Sequence, residues 1–184
     1  MAIRWEKLTV KSREALQRAS EVATENGNPE LLPLHLLVAL LEDKEGIIVP
    51  VLRQIGAAPE KLLSSSNSEL ERLPKVSGGS TQPAMSSALQ KAIDLAFKQA
   101  ENFKDEYVSV EHLLLALTQL GRDPAQNLLK SAGATQDAIL QALTQIRGSQ
   151  KVTDENPEAK YQALERYAKD LTELARKGKL DPVI

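Results

Sequence analysis

The 184-residue chain carries 23 basic and 25 acidic residues, for a formal net charge of −2, and the basic residues are spread along its length. This balance excludes binding to nucleic acid by phosphate neutralisation, which needs a concentrated positive surface. The absence of cysteine excludes disulfides and thiol chemistry. Because no apolar stretch is long enough to span a membrane and no signal-peptide core starts the chain, we expect a cytoplasmic protein that does not insert into membranes.

The first predicted elements are four helices between residues 8 and 74. Thr9 has the side chain of an N-cap, and apolar residues follow it at helical spacing. Pro33 suits the first turn of a second helix that runs to about residue 43. A third helix should end at Gly56, because glycine adopts the left-handed C-cap conformation without strain, and Pro59 should begin the fourth.

The same pattern recurs between residues 85 and 148, after a glycine-rich connector. Three blocks of sequence match in the same order, namely 15–23 with 88–96, 35–40 with 112–117, and 51–58 with 128–135. The offset is 73 residues in the first block and 77 in the other two, which predicts four extra residues in the first loop of the second copy, around 101–108. Since either copy alone is too small for a stable core, we predict one all-α domain of eight helices. The two four-helix repeats should be related by a pseudo-twofold axis, with a groove between them.

Turn and cap signals in the second copy support this prediction. Ser109 and Thr135 are predicted N-caps, Asp123 followed by proline predicts a cap and first turn, and Gly133 should end the third helix. Residues 149–157 are polar and predict a linker.

A further helix is predicted from residue 158, within the stretch 158–184 that ends the chain. Leu164, Tyr167, Leu171 and Leu174 form one apolar stripe along it. This stripe could pack against a neighbouring domain or fold back on the first one.

Few residues offer catalytic chemistry. There is no G-x-x-x-x-G-K-[ST] phosphate loop and no G-x-S-x-G motif, so neither a nucleotide hydrolase nor a serine hydrolase is predicted. His35 and His112 are the only histidines. Because they occupy matched positions in the two copies, a structural role at a helix start is favoured over a metal site.

The loop at 101–108 allows two interpretations. Phe103 and Tyr107 lie among Asp105, Glu106 and Glu111, and such an aromatic and acidic edge suits extended peptides that are basic and apolar. Alternatively, the aromatic rings fill the core and the carboxylates complement a helix N-terminus.

The chain resembles the Clp family, in which a double repeat precedes AAA+ ATPase modules. The segments that carry the resemblance are PLHLLVALL at 33–41, RLPKV at 72–76, GAT at 133–135, YQALERY at 161–167 and DLTELARKGKLDPVI at 170–184. The last two resemble the ClpB branch, where the chain enters its first AAA+ module, more than the ClpA or ClpC branches.

The resemblance implies a non-enzymatic domain that engages unfolded or aggregated polypeptide. It implies a full-length protein that is a homohexameric, ATP- and Mg-dependent disaggregase working with the DnaK system. The positions that match the family's substrate-engaging residues are Thr9, Asp105, Glu111 and Leu95. Gln99 and His112 stand where the family's apolar patch continues. The alternative is an adaptor-docking domain, as in the ClpA and ClpC branches, which would recognise a folded partner.

Overall fold

The computed structural model describes residues 3–78 and 82–158. Within those ranges the chain forms eight α-helices, namely α1 (Val10–Glu25), α2 (Pro33–Glu42), α3 (Ile48–Ile55), α4 (Pro59–Glu71), α5 (Ser87–Asn102), α6 (Val110–Leu117), α7 (Pro124–Ser131) and α8 (Gln136–Arg147). The predicted all-α fold of two four-helix repeats is confirmed. The predicted helix after residue 158 lies outside the described residues.

The two copies are in register at one constant offset. Both α1 and α5 have 16 residues, and each bound of α5 lies 77 residues after that of α1. The buried residues correspond one to one at this offset, with Ser12, Ala15, Leu16, Ala19, Val22 and Ala23 matched by Leu89, Ala92, Ile93, Ala96, Gln99 and Ala100. The predicted four-residue insertion is therefore wrong. A slip of four residues is about one helical turn, so the first block was matched to the correct helix face in the wrong turn.

Two short parallel pairings tie the copies together. Strand β1 (Glu30–Leu31) pairs with β2 (Ala84–Met85), and Leu8 forms a single bridge with Val108. Leu31 is paired with Met85, and these two residues are the counterparts, at the 77-residue offset, of Val108 and Leu8 in the other pairing. Each pairing joins the segment before a helix of one copy to the segment before a helix of the other, as a pseudo-twofold relation requires.

The predicted helix boundaries are confirmed where caps were expected. Asp123 accepts from the Ala125 N–H at 2.8 Å, and Thr135 accepts from the Ala138 N–H at 3.3 Å. Gly56 ends α3 with φ 87°, in the left-handed region that favours glycine.

One hydrophobic core runs through both copies. Helix α1 packs on α2 and α5 packs on α6, while α3 against α8 and α4 against α7 join the copies. A second, smaller cluster belongs to the first copy and consists of Val22, Leu34, Val38 and Leu70. Among the helices of the described residues, none is long and apolar enough to cross a membrane.

Candidate functional site

Thr9 lies at the N-terminus of α1 and its side chain is buried. Its Oγ1 accepts a hydrogen bond from the Ser12 N–H at 3.2 Å, which confirms the predicted N-cap. The same hydroxyl donates to Oε1 of Glu158 at 2.8 Å. Thr9 therefore begins α1 and also holds a residue from the far end of the described chain.

Asp105 is the centre of a buried polar cluster. Its Oδ2 accepts from Nε2 of His112 at 2.8 Å, and its Oδ1 accepts from Nη2 of Arg147 at 2.8 Å and from the Val152 N–H at 2.9 Å. Burial alone would raise the pKa of Asp105. The hydrogen bonds from His112, Arg147 and the Val152 amide together outweigh burial and lower this pKa to about 2. Asp105 is therefore ionised and fully engaged within the protein.

The two histidines make matched contacts. Nδ1 of His35 and Nδ1 of His112 each accept from the backbone N–H three residues earlier, at 2.9 and 2.8 Å. The ring proton must then lie on Nε2, which donates to Asn28 Oδ1 in the first copy and to Asp105 Oδ2 in the second, at 2.9 and 2.8 Å. The predicted structural role is confirmed, because each imidazole satisfies a backbone donor at the start of its helix.

Glu111 and Arg147 form a buried ion pair. Their side chains are 0% and 4% exposed, and Nη1 of Arg147 lies 3.4 Å from Oε1 of Glu111. The guanidinium also lies over the Phe103 ring, 5.2 Å from its centroid. One guanidinium thus faces the carboxylates of both Asp105 and Glu111. Of the acidic edge expected from the sequence, Asp105 and Glu111 are therefore internal, whereas Glu106 is exposed.

Residues 149–158, which we name the docking segment, complete this cluster. The Glu106 N–H donates to the Val152 carbonyl at 2.8 Å, and the Val10 N–H donates to the Glu155 carbonyl at 2.9 Å. The Val152 side chain is fully buried in the main core. The stretch predicted to be a linker therefore packs over the first turns of α1 and the loop before α6.

Glu158 brings a second carboxyl group next to Glu111. The Glu158 side chain is buried, and its Oε1 accepts from Thr9 and from the Val110 N–H, at 2.8 and 3.4 Å. Burial, followed by the negative charge of Glu111, raises the pKa of Glu158 to about 7. Docking at neutral pH therefore places a partly charged carboxyl group beside another acid.

Leu95 is separate from these polar contacts. It is half-buried on α5 and packs against the main core. The neighbouring positions Gln99 and His112 are buried, so they do not extend an exposed apolar patch. At the matched position of the first copy lies Arg18, whose Nε donates to Glu42 at 2.8 Å. Leu95 is thus an apolar surface position where the other copy carries a charge.

Comparison of the copies shows which cluster residues the fold itself does not require. Glu111 and Arg147 correspond, 77 residues on, to Leu34 and Leu70 of the apolar cluster in the first copy. Sequence reasoning identified Glu111 but missed Arg147, Glu158 and Val152. The 77-residue offset of the second and third blocks already places charged residues opposite two leucines, and that comparison could have revealed the pair.

The aromatic residues of the 101–108 loop anchor it. Phe103 and Tyr107 are half-buried and pack against the main core. Nζ of Lys7 lies 5.7 Å from the centroid of the Tyr107 ring. As the second interpretation expects, the aromatic rings pack against the core, but Asp105 pairs with His112 and Arg147.

Two cavities lie on the surface shared by the repeats. One of about 300 Å³ is lined by α1, α2, α3 and Val110, with the Lys11–Asp43 ion pair at its rim. Another of about 400 Å³ lies between α4 and α7, beside Leu62 and Leu128. In the part of the chain that the structure describes, no group of three or more His, Cys, Asp or Glu side chains is arranged to hold a metal ion.

The chain belongs to the Clp repeat (R) N-terminal domain family, which matches residues 7–132. Over all 184 residues it is 46% identical to the Chaperone protein ClpB of Rhodopirellula baltica, and over 177 residues it is 44% identical to that of Corynebacterium efficiens. The chain is similar to the N-terminal part of ClpB-type chaperones and spans about a fifth, 21%, of the length of these relatives.

Solved structures show the same fold. The N-terminal domain of Hsp104 from Candida albicans matches with a TM-score of 0.72 at 24% identity, covering 83% of this chain and 99% of that one. The N-terminal domain of the ClpV1 ATPase from Escherichia coli matches with a TM-score of 0.66 at 25% identity, covering 83% of this chain and 91% of that one. The eight-helix double repeat is thus shared by N-domains of several Clp-type ATPases.

Proposed function

We propose that this domain binds unfolded or aggregated polypeptide and delivers it to an ATPase ring of the same protein. In this proposal the whole protein is a cytoplasmic homohexamer that uses ATP and Mg²⁺ and works with the DnaK system. The nucleotide site would lie outside the present chain, whose sequence contains no phosphate loop. The role of the domain is therefore binding, without catalysis.

The observation that carries the proposal is the 46% identity to a ClpB chaperone over the full length of the chain. The structure supports it with apolar side chains at the surface. Trp5, Val76 and Met85 are exposed among the described residues, and Leu95 is half-buried. Such positions suit an unfolded chain, because its apolar residues are accessible. The conformational entropy that this chain loses on binding keeps the affinity per domain modest.

Leu95→Arg tests the proposal with little risk to the fold, because the first copy has Arg18 at the matched position. The chain is titrated with a reduced, carboxymethylated protein that cannot refold, and with the folded form of the same protein. We expect preference for the unfolded form, and binding weakened about tenfold by Leu95→Arg, since one leucine buried on binding contributes roughly 1.5 kcal/mol or more.

Leu140→Arg is the matched control, because Leu140 is also half-buried against the core. It should leave binding unchanged while helicity stays the same in both variants. If the unfolded protein does not bind at high concentration, the proposal is wrong. Preference for a folded partner would instead favour the adaptor-docking alternative.

A further inference from the structure

The docking segment is held largely through its own backbone groups. The Glu106 and Val10 amides donate to its carbonyls, and its Val152 amide donates to the Asp105 carboxylate at 2.9 Å. These donors and acceptors do not depend on the side chains of the bound segment. A surface of this kind can hold other polypeptide segments, as sheet edges do when they accept a peptide strand.

Two side chains of the segment fill specific sites. Val152 enters the main core through a socket in which it is fully buried. Six residues later, the Glu158 carboxyl group meets the Thr9 hydroxyl and the Val110 N–H at the start of α6. Between them, Glu155 forms an exposed ion pair with Arg13 at 3.2 Å. The surface thus accepts a small apolar residue followed by carboxylates three and six residues on.

The charges that line this surface are not needed to build a four-helix repeat. The first copy makes the same fold with Leu34 and Leu70 in place of Glu111 and Arg147. Apolar replacement of a buried ion pair is often neutral or stabilising, so the pair needs a reason other than stability. The position of the pair suggests that it holds the docking segment, because Arg147 Nη2 also donates to the Gln150 carbonyl of that segment at 3.0 Å.

Docking buries two acidic side chains in one cluster. The carboxyl groups of Glu158 and Glu111 are both buried in the same cluster. The other charged or titratable groups around them are Arg147 of α8, Asp105 of the loop before α6, His112 of α6, and Arg13 of α1 with its partner Glu155. Burial and the charge of Glu111 disfavour the ionised form of Glu158, so this contact weakens docking. The backbone contacts that remain are ones that another chain can make.

We propose that the docking segment occupies, from within the same chain, a polypeptide-binding groove formed by the starts of α1 and α6. A client segment with a small β-branched residue followed by a carboxylate three residues on binds there when the docking segment leaves. This inference rests on the proposed function, and it makes Thr9, Asp105 and Glu111 accessible to clients only after release.

The first test measures docking without any client. Val152→Asp places a charge in the apolar socket, whereas Thr153→Asp places the same charge at an exposed neighbouring position. Amide hydrogen exchange of the Val10 and Glu106 N–H groups should rise at least about tenfold in Val152→Asp and stay unchanged in Thr153→Asp, because only the former frees these donors. If both amides already exchange freely in the unsubstituted chain, the segment does not dock and the inference fails.

The second test measures client binding in variants of opposite effect. Val152→Asp should bind the unfolded probe protein more tightly, by about tenfold if the segment is docked nine-tenths of the time. Glu158→Gln keeps an acceptor for Thr9, removes the repulsion from Glu111 and should bind the probe more weakly. A folding defect cannot produce both changes.

The outcomes separate the inference from the proposed function. If Val152→Asp releases the segment but binds the probe no better than the unsubstituted chain, the groove inference is wrong and the proposed function stands. If no variant binds the probe, the proposed function itself fails.

A synthetic peptide of residues 149–158 should compete with the probe for the Val152→Asp chain, and a peptide with the same Val152→Asp change should not. Equal competition by both peptides would overturn the client pattern.

Discussion

Replacing the buried charges of the second copy by the residues of the first tests why those charges are present. The triple substitution Glu111→Leu, Arg147→Leu and Asp105→Asn installs the residues found 77 positions earlier in the sequence. There, two leucines pack in the small apolar cluster and an asparagine accepts from His35. The fold therefore accommodates this set once already, on a backbone of the same pattern.

The expected magnitudes follow from the contacts. Arg147→Leu alone leaves the carboxylates of Asp105 and Glu111 buried without their guanidinium, and breaking a buried ion pair from one side costs about 3–5 kcal/mol. With a urea m-value of about 2 kcal/mol/M, the unfolding midpoint falls by about 2 M. The triple variant leaves His112 with a neutral partner and no buried carboxylate at these positions. Its midpoint should lie within about 0.5 M of the unsubstituted chain, or above it.

Urea unfolding at pH 7, followed by far-UV circular dichroism, measures these midpoints. Arg122→Leu is the matched control, because Arg122 is exposed and its replacement should change stability by no more than about 0.5 kcal/mol. A triple variant as unstable as Arg147→Leu alone would refute the reasoning. It would show that the second copy needs its charges to fold and that the first copy is not a valid guide.

Three further predictions concern single positions. Burial lowers the pKa of His35 from 6.5 to about 4, so as the pH falls the imidazole is protonated in the unfolded chain before it is protonated in the folded one. About 3 kcal/mol of the free energy of unfolding should therefore be lost between pH 7 and 4. Urea midpoints measured across this range should fall less in His35→Gln than in the unsubstituted chain. When the segment is docked, the pKa of Glu158 lies above its ordinary value, so docking is strongest below about pH 4.5 and weakens as the pH rises through 7. The protection of the Val10 amide from hydrogen exchange, corrected for the intrinsic exchange rate, should therefore fall with rising pH in the unsubstituted chain but not in Glu158→Gln. Gly56→Ala and Gly133→Ala should each cost about 1 kcal/mol in urea unfolding, because both glycines have φ above 80° in open space, and a cost in only one copy would contradict this.

The helix boundaries could be predicted because they depend on local chemistry. Pro33, Gly56 and Pro59 act through the backbone of their own or adjacent residues, and Thr9 and Thr135 bond an amide three residues away. Nothing distant in the chain is needed to satisfy these signals. The repeated order of such signals was therefore sufficient for the fold class and the number of helices.

The register of the repeat and the state of the acidic residues could not be predicted in the same way. Residues four apart lie on one helix face, so the first block matched almost equally well one turn out of place. The two-residue strands and the Leu8–Val108 bridge are too short to show an alternating pattern. The burial of Asp105 depends on Arg147 and Val152, which are more than 40 residues away in sequence. Its carboxylate therefore looked like part of an open acidic edge.

The contacts of Thr9 decide how substitutions in this cluster must be interpreted. Thr9→Ala would remove the α1 cap, at a cost of about 1 kcal/mol, and would also remove the hydroxyl that holds Glu158. Altered client binding in such a variant could then arise from a weaker helix start or from a released docking segment, without any contact between Thr9 and a client. Asp105 has the same ambiguity, because one carboxylate supports His112, Arg147 and the Val152 amide together. An effect on direct contact with the client can be separated from an effect on docking only in a chain whose docking segment is already released. In the Val152→Asp background, a further loss of binding on substitution of Thr9 by asparagine, which keeps a cap acceptor but removes the hydroxyl, would come from the client surface itself.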